Sequence, residues 1–326
     1  MTEITMVEAV NLALAKAMAE DNRVLVLGED VAADGGVFRA TVGLLERFGS
    51  GRVRDTPLAE TAIAGISVGL AAQDFRPVAE IQFTGFIYPA IDQLVNQASR
   101  LRNRTRGRLS CPMVLRSPCG GGIHAPEHHS ESPEAMFAHI PGLRVVIPSS
   151  PRKAYGLLLA AIRDPDPVVF LEPTRLYRAS KEEVGDDGVA LPLDRCFIER
   201  TGTDITLIAW GAMMPETLAA AAELEEGGIS AEVIDVATLS VLDDDTIIRS
   251  VTKTKRCLIV HEAARNGGFG GEIAARVAEA CFFSLLAPVS RVCGYDTVMP
   301  LAKLESHYIP SVARIGKAAR HLMEYA

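Results

Sequence analysis

The chain is predicted to be an α/β protein made of two consecutive, doubly wound domains, each on a mainly parallel sheet. Three observations predict it. Its 326 residues exceed the roughly 250–300 that one hydrophobic core fills. Short apolar runs rich in β-branched residues alternate with longer stretches of helical period, the rhythm of βα units whose strands are buried on both faces. That rhythm breaks once, between Tyr177 and Arg200, and then resumes.

In chain order, the first-half strands are read at Val24–Leu27, Val78–Phe83, Met113–Arg116, Leu143–Ile147 and Val168–Leu171. The helices between them are read at Met6–Ala19, Thr61–Ala72, Phe86–Arg104 and Pro151–Arg163. The stretch RASKEEVGDDGVALPLDR is charged, carries Gly185, Gly188 and Pro192, and has no period, so it reads as a surface linker. Beyond it, strands are expected at Ile205–Trp210, Ala231–Val236, Cys257–His261 and Val289–Cys293. Helices are expected at Pro215–Glu225, Asp243–Val251, Gly270–Leu285 and Ser311–Tyr325. The predicted division is 1–185 for the first domain, 186–200 for the linker and 201–326 for the second.

Composition narrows the function. Against 33 Lys and Arg stand 41 Asp and Glu, a net charge of −8, which argues against a nucleic-acid partner. Six scattered cysteines form no C-x-x-C pair, so neither a zinc framework nor a disulfide scaffold is expected and the setting is a reducing cytoplasm. The opening MTEITMVEAV lacks the basic and apolar runs of a signal peptide. No uncharged apolar run approaches the ~18 residues that span a bilayer.

Ligands of open α/β sheets bind at the carboxyl ends of the strands, and five polar stretches follow predicted strands. Glu29-Asp30 is a pair of acids at a strand end, catalytic or merely solvated. Asp55-Thr56-Pro57-Leu58-Ala59-Glu60 precedes the helix TAIAGISVGLAA. Asp55 or Thr56 can cap that helix and Pro57 suits its first turn. Glu60 then either complements the helix dipole or, on so apolar a helix, faces a buried place and acts there. Gln82-Phe83-Thr84-Gly85-Phe86 offers an aromatic wall for a planar ligand or ordinary core packing. The stretch GGGIHAPEHHS at 120–130 belongs to a region, 124–139, that holds four of the seven histidines. Pro126 and the triple glycine favour a loop over a helical metal motif, so proton transfer or ligand orientation by one histidine outranks metal binding. Gly267-Gly268-Phe269-Gly270-Gly271 suits an anion at a helix start or tight strand-to-helix packing.

Taken together, these stretches resemble the β subunit of the thiamine-diphosphate-dependent decarboxylating component of 2-oxo acid dehydrogenase complexes, branched-chain or pyruvate type. The blocks are VLVLGEDV at 24–31, GGVFRAT at 35–41, DTPLAE at 55–60, EIQFTGFIYPAIDQ at 80–93, HHSESPEA at 128–135, DPVVFLEPTRLYR at 166–178 and HEAARNGGFGGEI at 261–273. They run nearly end to end, in order.

The resemblance implies a transketolase-like pyrimidine-binding domain followed by a transketolase C-terminal domain. The latter would serve dimerisation and docking of the lipoyl-bearing acyltransferase core. It implies thiamine diphosphate as cofactor, Glu60 hydrogen-bonding its aminopyrimidine ring and setting the ring's tautomer, and Leu58, Gln82 and Phe86 lining that ring. His129 would orient or protonate what forms at the reactive carbon, and Glu29 would lie in an acidic tunnel joining two active sites. Ala161, Ile162, Asp164 and Asp166 resemble a potassium-binding loop. The G-D-G motif that holds Mg²⁺ and diphosphate is missing, Gly185-Asp186-Asp187-Gly188 being the nearest string. The expectation is therefore no Mg²⁺ site in this chain, and an α subunit that supplies it in a heterotetramer of two α and two β chains. The activity implied is a lipoyl-acyl-transferring 2-oxo acid dehydrogenase, active only with α. Asp235-Val236-Ala237 departs from the Asp-Leu-Arg of many members. An acetoin dehydrogenase β subunit shares most of these features, and a non-catalytic binding module of the same fold is the reading from another class.

Overall fold

The computed structural model describes residues 2–325. The chain divides into two compact units: residues 1–119 with 136–193, and residues 120–135 with 194–326. The stretch 120–135 therefore groups with the second unit, although in sequence it lies inside the first.

In the first unit, β1 (Thr2–Thr5) leads into α1 (Met6–Glu20). Thr5 and Glu8 form a reciprocal capping box at the start of that helix, Glu8 accepting from the Thr5 N–H at 2.7 Å. The remaining elements are β2 (Val24–Gly28), α2 (Leu44–Phe48), β3 (Val53–Asp55), α3 (Glu60–Ala72), β4 (Arg76–Glu80), α4 (Leu101–Arg104), β5 (Val114–Cys119), α5 (Glu134–Ala138), β6 (Arg144–Val146), α6 (Pro151–Arg163), β7 (Val168–Pro173) and β8 (Lys181–Val184). Six strands lie parallel in the order β6-β7-β5-β4-β2-β3. The chain passes from β2 to β3 on one side and then crosses back to β4 on the other, so the direction of growth reverses at β2, where such sheets bind ligands. Helices α1 and α6 pack on one another, burying Met6, Val10, Leu14, Leu157 and Leu158 completely.

Three sequence expectations change here. The helix expected over 86–104 is broken into short 3₁₀ turns at Thr84–Phe86 and Tyr88–Ala90, a π-helical stretch Gln93–Ala98, and α4. Pro89 has no N–H to continue a ladder. Lys181–Val184, taken as the start of an irregular segment, is a strand pairing antiparallel with β1. The expected linker contains a further strand, β9 (Phe197–Arg200).

In the second unit, that strand is followed by β10 (Ile205–Ala209), α7 (Met214–Glu226), β11 (Ala231–Asp235), β12 (Thr238–Ser240), α8 (Asp244–Thr254), β13 (Cys257–Ala264), α9 (Gly270–Cys281), β14 (Ser290–Gly294), α10 (Ala302–Tyr308) and α11 (Val312–Met323). The sheet order is β14-β13-β10-β11-β9, parallel except for the antiparallel edge strand β9. Its core is aliphatic: Leu207, Val233, Leu258 and Val260 meet Leu224, Ile315 and Leu322. Among the described residues no helix is long and apolar enough to cross a membrane.

Candidate active site

Three adjacent strands of the first unit end together. In register, Gly28 pairs with Asp55 of β3 on one side and Glu80 of β4 on the other. The segments that leave these ends carry Glu29 and Asp30, then Thr56, Leu58 and Glu60, then Gln82 and Phe86. Glu29 is buried, 7% exposed, and its carboxyl is pushed above the usual range by burial, then by Glu60, Asp30 and Glu80. Gln82 donates to the Asp30 carboxylate at 3.0 Å.

Glu60 is half-buried and is the first residue of α3, preceded by Ala59 as N-cap without a side-chain cap bond. Neither Asp55 nor Thr56 caps this helix. Asp55 instead accepts the N–H groups of Ala32 and Ala33 at 2.7 and 3.1 Å. The Thr56 N–H donates to the Gly28 carbonyl at 2.9 Å, and its buried hydroxyl has no hydrogen-bond partner. Leu58 is 80% exposed, an apolar side chain with no cover in its own chain. Phe86 stands edge-on to Phe83 at 6.1 Å, and Phe83 edge-on to Phe38 at 5.3 Å, so aromatic walls do border this edge.

Beneath it lies a buried charge network that sequence reasoning did not single out. Arg116 forks onto both oxygens of Glu172 at 2.8 and 2.7 Å and also donates to Glu80, while the Tyr177 hydroxyl donates to Glu172. Arg116 is 1% exposed. Burial pushes the Glu80 carboxyl up and Arg116 opposes it. The signal was present: each of the buried strands β4, β5 and β7 carries a charged residue, Glu80, Arg116 and Glu172, within a mainly apolar run.

The segment Ala161–Asp166 is held by arginines. Arg76 donates to the carbonyls of Ile162 and Asp164 at 2.8 and 3.0 Å, so these two oxygens face one point. The carboxylates of Asp164 and Asp166 pair with Arg144 and Arg102 at 3.0 and 2.6 Å.

The histidine loop belongs to the second unit. A 3₁₀ turn at Glu127–His129 ties the His129 N–H to the Pro126 carbonyl at 2.9 Å. The rings of His128 and His129 lie 4.1 Å apart. Burial and then His128 push the half-buried His129 below the usual histidine range. Near it, Glu134 is buried and accepts from the Trp210 indole N–H at 3.3 Å. Burial raises its carboxyl to about 7. Trp210 stacks on His261 at 5.3 Å and 9°. Burial brings the His261 ring down to about 4. The glycine-rich stretch finds its explanation here: a Cβ on Gly268 or Gly270 would sit 2.7 or 2.6 Å from the His261 ring. Ala237 is fully buried with φ +51°.

Comparison with known proteins agrees with this architecture. Residues 2–180 match the family described as transketolase, pyrimidine binding domain, and residues 194–315 the transketolase C-terminal domain. A solved structure titled split gene transketolase, inactive beta4 tetramer, shares the fold with a TM-score of 0.80 at 23% identity, over 99% of each chain. The chain is thus a two-domain protein of the transketolase class. It is 48% identical over 325 residues to the pyruvate dehydrogenase E1 component subunit beta of Bacillus subtilis, with 100% of each chain covered. To that of Acholeplasma laidlawii it is 48% identical over 322 residues, covering 99% of this chain and 98% of the relative. The chain belongs to the family of β subunits of the thiamine-diphosphate-dependent decarboxylating component of 2-oxo acid dehydrogenase complexes.

Proposed function

We propose that this chain, with an α partner, catalyses oxidative decarboxylation of pyruvate in the cytoplasm and transfers the acyl product to lipoyl groups, the lipoyl disulfide being the oxidant. One observation carries the reading: Glu29, Leu58, Glu60, Gln82 and Phe86 issue from the carboxyl ends of three adjacent parallel strands, at the point where the sheet reverses its growth. Pyruvate is chosen over a branched-chain acid because the relatives bear its name.

The residues fit an aminopyrimidine. An exposed leucine and half-buried Phe86 offer apolar contacts, and the Thr56 hydroxyl waits unpaired beside the acids. Thiamine diphosphate, when bound, supplies an electron sink for the carbon that loses carbon dioxide. Glu60 holds a proton at the pyrimidine ring, Gln82 and Phe86 orient that ring, and His129 serves proton transfer to the substrate. Glu29, whose carboxyl burial and the neighbouring acids push up, lies close enough to Glu60 to feel its charge. The diphosphate and Mg²⁺ fall to the α subunit, two α and two β chains forming the assembly. The Ala161–Asp166 loop, expected to hold potassium, instead has the Arg76 guanidinium at the Ile162 and Asp164 carbonyls and Arg102 at the Asp166 carboxylate, so no potassium ion is proposed there.

The test is carbon dioxide release from pyruvate and from 3-methyl-2-oxobutanoate by this chain, with and without α. Turnover is expected only in the mixture and faster with pyruvate. Glu60→Gln in the mixture should assemble normally and lose about 10²–10⁴-fold in kcat. Near-normal turnover of that variant would remove the role given to Glu60.

A further inference from the structure

The loop that carries His124, His128 and His129 rests on two buried carboxylates of its own unit. Glu262, at the end of β13, is 6% exposed, and Glu305, on α10, is 3% exposed. The Gly121 N–H donates to Glu262 Oε1 at 2.5 Å. The N–H groups of Gly122 and His124 donate to the two oxygens of Glu305 at 2.6 and 3.2 Å. The Ser132 hydroxyl reaches Glu262 Oε1 at 3.4 Å, and the Gly120 N–H closes the loop on the Glu131 carbonyl at 2.8 Å.

The backbone is shaped for this. Gly120, Gly122 and His124 all have positive φ, +79°, +84° and +59°. Left-handed residues within a loop turn its backbone amides outward, where carboxylates can accept them. Space is tight as well: a Cβ on Gly120 would lie 2.9 Å from Glu262 Oε1, and one on Gly121 2.4 Å from Met299 Cε, so either side chain would have to move. At Gly120 and Gly122 the glycines serve the positive φ that the loop adopts over the two glutamates. A cavity of about 400 Å³ opens beside the loop, with Glu127, Ser130 and Glu131 on its loop side and Asn266, Met299 and Tyr308 opposite.

We propose that Glu262 and Glu305 are positioning residues: they fix the histidine loop so that His129 is presented in one place for proton transfer. This rests on the role proposed for His129. Amide bonds to a carboxylate are the strong kind, and three of them fall within four residues, only five positions before His129. Without them the loop would keep its fold-back turn at 126–129 and lose its footing.

The experiment uses the assembled α/β protein with Glu305→Ala, Glu305→Gln and Glu262→Gln. Hydrogen exchange of the amides of residues 121–124 should accelerate about tenfold or more per lost bond in Glu305→Ala, and less in Glu305→Gln, which keeps a carbonyl acceptor. In the same order kcat on pyruvate should fall while KM stays within about twofold, since the loop is displaced in proton transfer rather than in binding. If Glu305→Ala fails to fold, the two glutamine variants carry the comparison. Unchanged exchange, or faster exchange with unchanged kcat, overturns the proposal. A silent unsubstituted assembly would instead sink the catalytic reading of the site, which the control separates from any change caused by the substitutions.

Discussion

At the scale of single residues, the environment of each acid decides its chemistry more than its type does. Glu60 is half-buried at a helix start, whereas Glu134 is sealed under Trp210 with its carboxyl raised to about 7. That difference has a measurable sign. An unfolded glutamate loses its proton near 4.5, so between pH 4.5 and 7 the folded chain holds a proton that the unfolded chain has released. Stability from this group must then fall as pH rises through that window and level off above it. Glu134→Gln stays neutral throughout. Its stability relative to the parent should therefore improve from pH 5 to pH 8, by up to about 3 kcal/mol for a shift of this size. His261, brought down to about 4, gives the opposite slope, but it is common to both proteins and cancels in the difference. Denaturant unfolding of both at the two pH values measures it, and a gap independent of pH would contradict the account.

At the scale of elements, the network under β4, β5 and β7 shows how strand ends are held. Arg116 serves two carboxylates while almost wholly buried. Removing it leaves both unpaired, and breaking a buried pair from one side costs about 3–5 kcal/mol. Arg116→Met should lower unfolding stability by that order, while Arg116→Met combined with Glu172→Met should recover part of it. A double variant no better than the single would show that packing, not charge, sets the cost. This network also marks what was legible beforehand. The apolar runs located most strands within a few residues, because full burial leaves a continuous hydrophobic signature. Thr2–Thr5 and Lys181–Val184 were missed because their pairing partner lies about 180 positions away in the chain and their exposed faces are polar. The break in the helix expected over 86–104 is legible in Pro89, which lacks the N–H a helix needs. The four residues proposed around the pyrimidine ring, and Glu29 beside them, were reachable from strand ends plus family likeness. Glu262 and Glu305 were not, since nothing local reveals that a carboxylate accepts amides some 140 or 180 residues upstream.

At the scale of the whole molecule, sequence order and compactness disagree in one place, and the disagreement is informative. Residues 120–135 follow β5 and run into the first turn of α5, yet group with residues 194–326. Within that unit they supply every amide that Glu305 accepts from, one that Glu262 accepts from, and the carboxylate that pairs the Trp210 indole. A second domain cut at the apparent boundary, residues 194–326, keeps its sheet and its aliphatic core. It nonetheless takes from Glu262 and Glu305 the loop N–H groups they are buried against, and each lost bond of that kind costs about 1–3 kcal/mol, a large share of a domain's 5–15 kcal/mol. The fragment is expected to be expanded, with lost near-ultraviolet dichroism and a broad melt. The same fragment with residues 120–135 fused through a flexible glycine-serine linker should regain a cooperative transition. Glu262→Met with Glu305→Met in the short fragment should recover stability by a different route, since it removes the stranded charges rather than answering them. A short fragment that melts cooperatively, at the temperature of the fused one, would show that the histidine loop is carried by this unit without contributing to its stability.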